Sequence, residues 1–152
     1  DNDGDQDLYV ANDFGRNNLY RNNNGTFRDV AASAAVEDIS SGMSVSWADY
    51  NEDGRMDVYV GNMFSSAGNR VTYQNRFRAA EGEVVGHLRR MARGNTLFEN
   101  LGGGRFKDTT LTAGVNMGRC ASSSNFCHLN NDGREDLVVA NGFVTSELPD
   151  DL

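Results

Sequence analysis

The chain has 152 residues, a formal net charge of −8 and a pI near 4.6, which sets one domain or part of one. An acidic chain without a basic patch of interleaved aromatics does not suit nucleic acid. No stretch approaches the ~18 apolar residues of a membrane-spanning helix, and seventeen glycines against one proline fit a turn-rich all-β chain.

The chain opens on Asp1, Asp3, Asp5 and Asp7, wound around Gly4. The pattern recurs in full at Asp49, Asn51, Asp53, Gly54, Arg55 and Asp57, and again at His128, Asn130, Asp132, Gly133, Arg134 and Asp136. Oxygen-bearing side chains stand at positions 1, 3 and 5, except at His128, with a glycine at 6 and a carboxylate at 9. Alternate residues of a tight loop can converge on a hard cation such as Ca²⁺, which takes six to eight oxygens at roughly 2.3–2.6 Å. Position 7 (Asp5, Arg55, Arg134) need offer only its backbone carbonyl, so its side chain is free to vary. An EF-hand would place Glu at position 12 and flank the loop with helices. Here position 12 is Val10, Val60 or Val139.

Each loop runs into a short apolar segment: Leu8 to Ala11, Val58 to Gly61 and Leu137 to Ala140. Such runs predict strands buried on both faces. After the first come Asn18 to Asn22 and Gly25 to Asp29, which predict a hairpin, then a small-residue stretch ending in Ala35-Val36. Met43 to Trp47 predicts the strand entering the second loop. Beyond the second apolar run, Asn95 to Asn100, Gly104 to Asp108 and Gly114-Val115 repeat the series, and Ser122 to Phe126 leads into the third loop. One unit is therefore four strands, A to D, with a calcium loop between A and B. Asp7 and Asp57 lie 50 residues apart and Asp57 and Asp136 lie 79 apart, so the second unit carries about 29 extra residues.

Four short antiparallel strands per repeated unit predict β-propeller blades. The division expected is a blade fragment over 1–36, a full blade over 37–115 with an insertion at 64–93, and the start of a third over 116–152. That is a fragment of about two to three blades, so the rest of the propeller is expected elsewhere in a longer chain. The insertion holds six Arg against two Glu, net +4 in a chain that is −12 elsewhere. Phe77, Val84, Leu88 and Met91 predict one amphipathic helix there, lying over the acidic rim of its own domain or meeting a partner or anionic glycan. His87 in that helix reads as a surface residue. Cys120 and Cys127, seven apart, point to opposite faces of a strand, which argues against a disulfide between them.

Asn17 to Asn22, Gly42 to Asp49 and Asp132 to Gly142 resemble the FG-GAP/VCBS repeat family, whose calcium-binding blades also occur in integrin alpha chains. The match is closer to bacterial members that carry an ASPIC/UnbV domain and to cartilage-acidic-protein-like proteins. The resemblance implies a secreted, cell-surface or periplasmic propeller with structural Ca²⁺, serving adhesion or recognition of a protein or glycan, and not an enzyme. The alternative is a propeller enzyme that acts on polysaccharide with structural Ca²⁺. The family's loop begins with Asp, and His128 departs from it. Imidazole is a poor ligand for a hard cation.

Overall fold

A computed structural model describes residues 1, 3–77, 82–119 and 121–142. Among them are three antiparallel sheets, the arrangement of a partial β-propeller. Strands β1 (Leu8–Val10), β2 (Asn18–Asn23) and β3 (Thr26–Asp29) form the first sheet in that order. The second runs β4 (Gly42–Ala48), β5 (Asp57–Asn62), β6 (Thr96–Gly102) and β7 (Arg105–Asp108). The third pairs β8 (Ala121–Cys127) with β9 (Asp136–Asn141).

Local chemistry sets the hairpins. Asn24 and Gly25 both take positive φ, 52° and 89°, between the paired residues Asn23 and Thr26. Two left-handed residues make the primed turn whose twist suits adjoining strands. Gly103 and Gly104 do the same between Gly102 and Arg105.

The sheets stack face to face. Val58, Tyr59 and Val60 on β5 are fully buried, because sheets lie against both sides of this strand. Between the first and second sheets, Tyr9, Leu19, Val58, Val60, Phe98 and Phe106 share one core, with Trp47 packed edge-on against Tyr9 and Phe106. Between the second and third, Tyr59 meets Phe126 edge-on, and Ser46 Oγ donates to the Ser124 carbonyl at 2.6 Å. Burial on both faces was expected of all three apolar runs and holds for β5 alone. Leu8 on β1 is half exposed, and β9 is exposed or half-buried throughout, since each outer sheet is covered on one side.

Two further departures from the sequence reading concern helices. The stretches after β3 and β7 fold into single helical turns, α1 (Ala31–Ala34) and α4 (Thr110–Ala113), each closed by a left-handed residue, Ala35 or Gly114. Between β5 and β6 lie two helices, α2 (Ser66–Thr72) and α3 (Gly82–Arg93), where one was expected. On α3 the buried residues are Val85 and Ala92, one position away from the expected stripe; Val84 and Met91 are exposed.

Arginine pairing explains that roll. Arg89 Nε donates to the Thr72 carbonyl at 3.1 Å, and its guanidinium lies over the Tyr73 ring. Arg90 bridges two carboxylates, with Nε 2.6 Å from the buried Asp38 and Nη1 3.1 Å from Asp108. Arg93 adds a second contact to Asp108 at 3.0 Å. The Arg90 guanidinium is desolvated, yet its two carboxylates outweigh this and raise its pKa. Despite its own burial, the Asp108 carboxyl is held below its ordinary range by Thr110 and Arg93. The insertion thus lies on acidic groups of its own domain, as one of its two readings held. The disulfide reading lies outside the described residues, because Cys120 does.

Removing Arg90 leaves the Asp38 carboxyl without its cation in a site of zero exposure. Arg90→Ala is expected to cost about 3–5 kcal/mol, as for a broken buried pair. Arg70→Ala, on the exposed face of α2, should stay within about 0.5 kcal/mol. Urea unfolding of both variants checks this; equal losses would refute the bridge as a structural staple.

Candidate metal-binding loops

The second loop joins β4 to β5. Asp49 Oδ1 accepts the Asp53 N–H at 2.9 Å and its Oδ2 accepts the Gly54 N–H at 2.7 Å. Asn51 Oδ1 also accepts from Asp53 N–H, at 3.2 Å, and Asp53 Oδ1 accepts the Arg55 N–H at 3.0 Å. Gly54 has φ of 82°, which allows this winding. Arg55, at position 7, pairs its guanidinium with Asp53 and donates from Nε to the Asn100 carbonyl at 2.7 Å.

Asp57 closes the loop and starts β5. It has no exposure, and its Oδ1 accepts the Asn100 N–H from β6 at 2.6 Å. Its Oδ2 is buried with no donor. Burial foremost, opposed by the Asn100 and Tyr50 backbone N–H groups and aided by the Asp53 and Asp49 charges, pushes its carboxyl from 3.8 up to about 6. A buried anionic oxygen without a donor is costly, and a cation is a partner that would satisfy it.

The first loop repeats the arrangement. Asp7 Oδ1 accepts the Asn22 N–H from β2 at 2.9 Å, the counterpart of Asp57 and Asn100. Asp3 accepts the Asp5 N–H at 3.1 Å, and the Asp1 ammonium lies 3.2 Å from Asp7. Asp5 Oδ2 accepts the Asn24 N–H at 2.9 Å, while its Oδ1 is buried without a partner. Two of the three loops therefore hold an orphaned carboxylate oxygen.

The third loop differs at its head. His128 Nδ1 sits 2.8 Å from the Arg134 carbonyl, the oxygen that position 7 would offer a cation. Asp136 Oδ2 accepts the Leu129 N–H at 2.9 Å, Asn130 Oδ1 the Asp132 N–H at 3.0 Å, and Asp132 Oδ1 the Arg134 N–H at 2.9 Å. The Arg134 N–H, with Asn130, lowers the exposed Asp132 carboxyl below its ordinary value.

Among the described residues, no three carboxylate, imidazole or thiol groups stand together as a set to hold one ion. The loop carboxylates turn onto backbone amides, those of their own loops and, for Asp5, Asp7 and Asp57, those of the adjoining hairpin. What fits a hard cation is the donor chemistry: oxygen side chains in each loop, with an unpartnered buried oxygen in the first two. The sequence did not reveal the role of Asn22 and Asn100, whose amides tie each loop to the third strand of its blade. The shared Asn at the same offset in both hairpins was its visible trace.

Residues 1–60 match the family model described as FG-GAP-like repeat, the family that the sequence pattern resembles. The chain is similar to cartilage acidic protein 1 of Mus musculus, 47% identical over 58 residues, which is 37% of this chain and 9% of that protein. The Xenopus tropicalis protein of the same name is 40% identical over 63 residues, 40% of this chain and 10% of that protein. The Homo sapiens protein is 45% identical over 58 residues, again 37% and 9%. The matched region thus spans about a tenth of those relatives. No solved structure matches significantly.

The raised Asp57 pKa fixes a sign. A carboxyl that titrates near 6 when folded and near 3.8 when unfolded binds its proton more tightly in the fold. Its ionised form therefore lowers stability above pH ~6, and the penalty is relieved as pH falls from ~6 towards ~4. In chelator at pH 7.5, Asp57→Asn should be more stable than the parent by on the order of 1–2 kcal/mol. The gain should vanish by pH ~4. Urea unfolding across this range checks it; a less stable variant in chelator at pH 7.5 would refute the account.

Proposed function

We propose that the chain is a recognition module of an extracellular protein, built from FG-GAP-like repeats whose Asp-rich loops hold Ca²⁺. The observation that carries this reading is the buried Asp57 Oδ2, an anionic oxygen without a donor at the base of a loop of oxygen side chains. Asp49, Asn51, Asp53, the Arg55 carbonyl and Asp57 would hold the ion in the second loop. In the first loop Asp1, Asp3, Asp5 and Asp7 would do so, and in the third Asn130, Asp132, the Arg134 carbonyl and Asp136. Bound Ca²⁺ supplies a multivalent cross-link and neutralises the clustered carboxylates. The protein's part is to present those oxygens and to anchor positions 9 on the Asn22 and Asn100 amides. The similarity to proteins named for cartilage supports an extracellular setting. No helix among the described residues is long and apolar enough to cross a membrane. A protein or glycan ligand is the partner this reading implies.

Metal binding that favours the folded state stabilises by mass action. At free Ca²⁺ ten times the dissociation constant, one site adds about 1.4 kcal/mol. Thermal melts in Ca²⁺ and in chelator should differ by several degrees, and Asp53→Ala should shrink the difference. Superimposable melts would overturn the metal reading.

The third loop is the weakest. Its remaining side-chain ligands carry two formal charges, Asp132 and Asp136, against three in the second loop, and affinity is tuned by ligand charge. Its position-7 carbonyl is also engaged by His128. His128→Asp should add a measurable tighter binding event in calorimetric titration. A parent protein whose third loop binds as tightly as the second would contradict this.

A further inference from the structure

A cleft of about 1020 Å³ opens between the first and second sheets, beside the first loop. Leu19, Trp47 and Phe106 give it an apolar floor, and Arg21, Arg28 and Arg105 line it. Arg21 and Arg28 are directly paired across β2 and β3. Like charges directly opposite in a sheet are destabilising. At the same place in the second sheet the paired residues are Glu99 and Lys107, of opposite sign. The repeat therefore accommodates a compensated pair, and the first sheet departs from it where the cleft lies.

The arginines are also poorly used within the chain. Arg21 Nε is buried without a hydrogen bond; its nearest carboxylate, on Asp1, is 3.8 Å away. Arg28 and Arg105 are exposed and make no ion pair among the described residues. Asp29, which also lines the cleft, already accepts from the Ala31 N–H at 3.0 Å and from Asn18 Nδ2 at 2.7 Å. The other cleft carboxylates, Asp1, Asp5 and Asp7, belong to the first loop.

We infer that this cleft binds an acidic saccharide, its carboxylate held by Arg21 and Arg28 and a sugar face laid against Trp47 and Phe106. Guanidinium forks match carboxylate geometry, and cleft volumes of this size hold a ligand of a few rings. The walls are sheet faces. An apolar floor set between cationic side chains suits a sugar ring carrying a carboxylate, and an acidic peptide is the competing ligand that the titration separates from it. The inference rests on the calcium reading of the first loop, because an ion there neutralises the carboxylates that would otherwise repel the ligand. Affinity should therefore rise with Ca²⁺.

The chain has one tryptophan, Trp47, so its fluorescence reports on this cleft. A galacturonate trisaccharide is the probe, with its fully methyl-esterified form as the neutral control and pentaglutamate as an acidic peptide. Each is titrated in Ca²⁺ and in chelator. The expected result is a saturable change with the trisaccharide in Ca²⁺, at least tenfold weaker in chelator, and absent with the ester. Arg28→Gln should weaken binding tenfold or more. Arg21→Glu should abolish it while leaving the melting temperature unchanged or higher, since it restores an opposite-charge pair. A merely structural arginine would lower the melting temperature instead. No saturable change, equal binding of the ester, or unaltered binding by both variants overturns the inference. Pentaglutamate binding as tightly as the trisaccharide also overturns it and assigns the cleft to an acidic peptide. If melts respond to Ca²⁺ and the trisaccharide does not bind, the cleft inference fails and the loop reading stands. If melts ignore Ca²⁺, the loop reading fails, and trisaccharide binding that is equal with and without Ca²⁺ overturns the coupling between the two.

Discussion

A carboxylate sits at, or just before, the first residue of the second strand of each blade, and the rest of the molecule is arranged around it. Asp57 and Asp7 each accept an amide from the neighbouring strand, at Asn100 and Asn22. That contact fixes where the loop ends, where the strand begins and which residue of the hairpin lies opposite. It also buries a charge. At Asp57 the cost appears as a raised pKa and an oxygen without a donor. Interiors tolerate such a group when a partner arrives or when the site serves a function. The loop of oxygen donors above it gives the burial a physical purpose.

The two better-described blades repeat these contacts as well as their strands. Tyr9 and Tyr59 each donate from the phenol to a backbone carbonyl past a one-turn helix, at Val36 and Val115. Asn17 and Asn95 each accept the N–H of an Asn at or just past the end of the second strand, Asn12 or Asn62. Asn12 and Asn62 in turn each donate to the carbonyl before the third strand, at Arg16 and Gly94. Buried amide and phenol groups must find partners. A repeated polar frame lets each blade settle most of its own buried groups, with Asn62 Oδ1 and Asn95 Nδ2 left over, while apolar faces such as Trp47, Phe98 and Phe106 stack the first two sheets.

Much of this was legible in the sequence, for identifiable reasons. The strands were visible because apolar runs four residues long are bounded by Asp, Asn and Gly, and the hairpin turns because Asn-Gly and Gly-Gly tolerate positive φ. The loops were visible because the pattern recurs. Three things were not legible. The roll of α3 is set by Arg90 reaching Asp38, 52 residues away in the chain, and no periodicity contains that contact. The exposure of β1 and β9 depends on which sheet faces are covered, which the runs themselves do not record. The engagement of the Arg134 carbonyl by His128 is a contact within one loop that residue identity hinted at and geometry located.

Divergence between repeats carries information that similarity does not. Where the blades agree, as at Asp7 and Asp57 or Tyr9 and Tyr59, the shared residue answers to the fold, because both copies must solve the same packing and hydrogen-bonding problem. Where they differ at matched positions, the fold has no single demand. Glu99 with Lys107 and Arg21 with Arg28 occupy the same cross-strand place, yet the second pair carries a repulsion that the fold does not require. The same logic separates Arg55 from Asp5 at position 7. Arg55 pairs with Asp53 and reaches the Asn100 carbonyl, so it braces the loop against the sheet. Asp5 at that position instead adds a carboxylate and leaves one oxygen buried without a donor. The first loop and the arginines beside it thus depart from the repeat at matched positions, and they do so side by side on the first sheet, with Asp1 3.8 Å from Arg21 Nε.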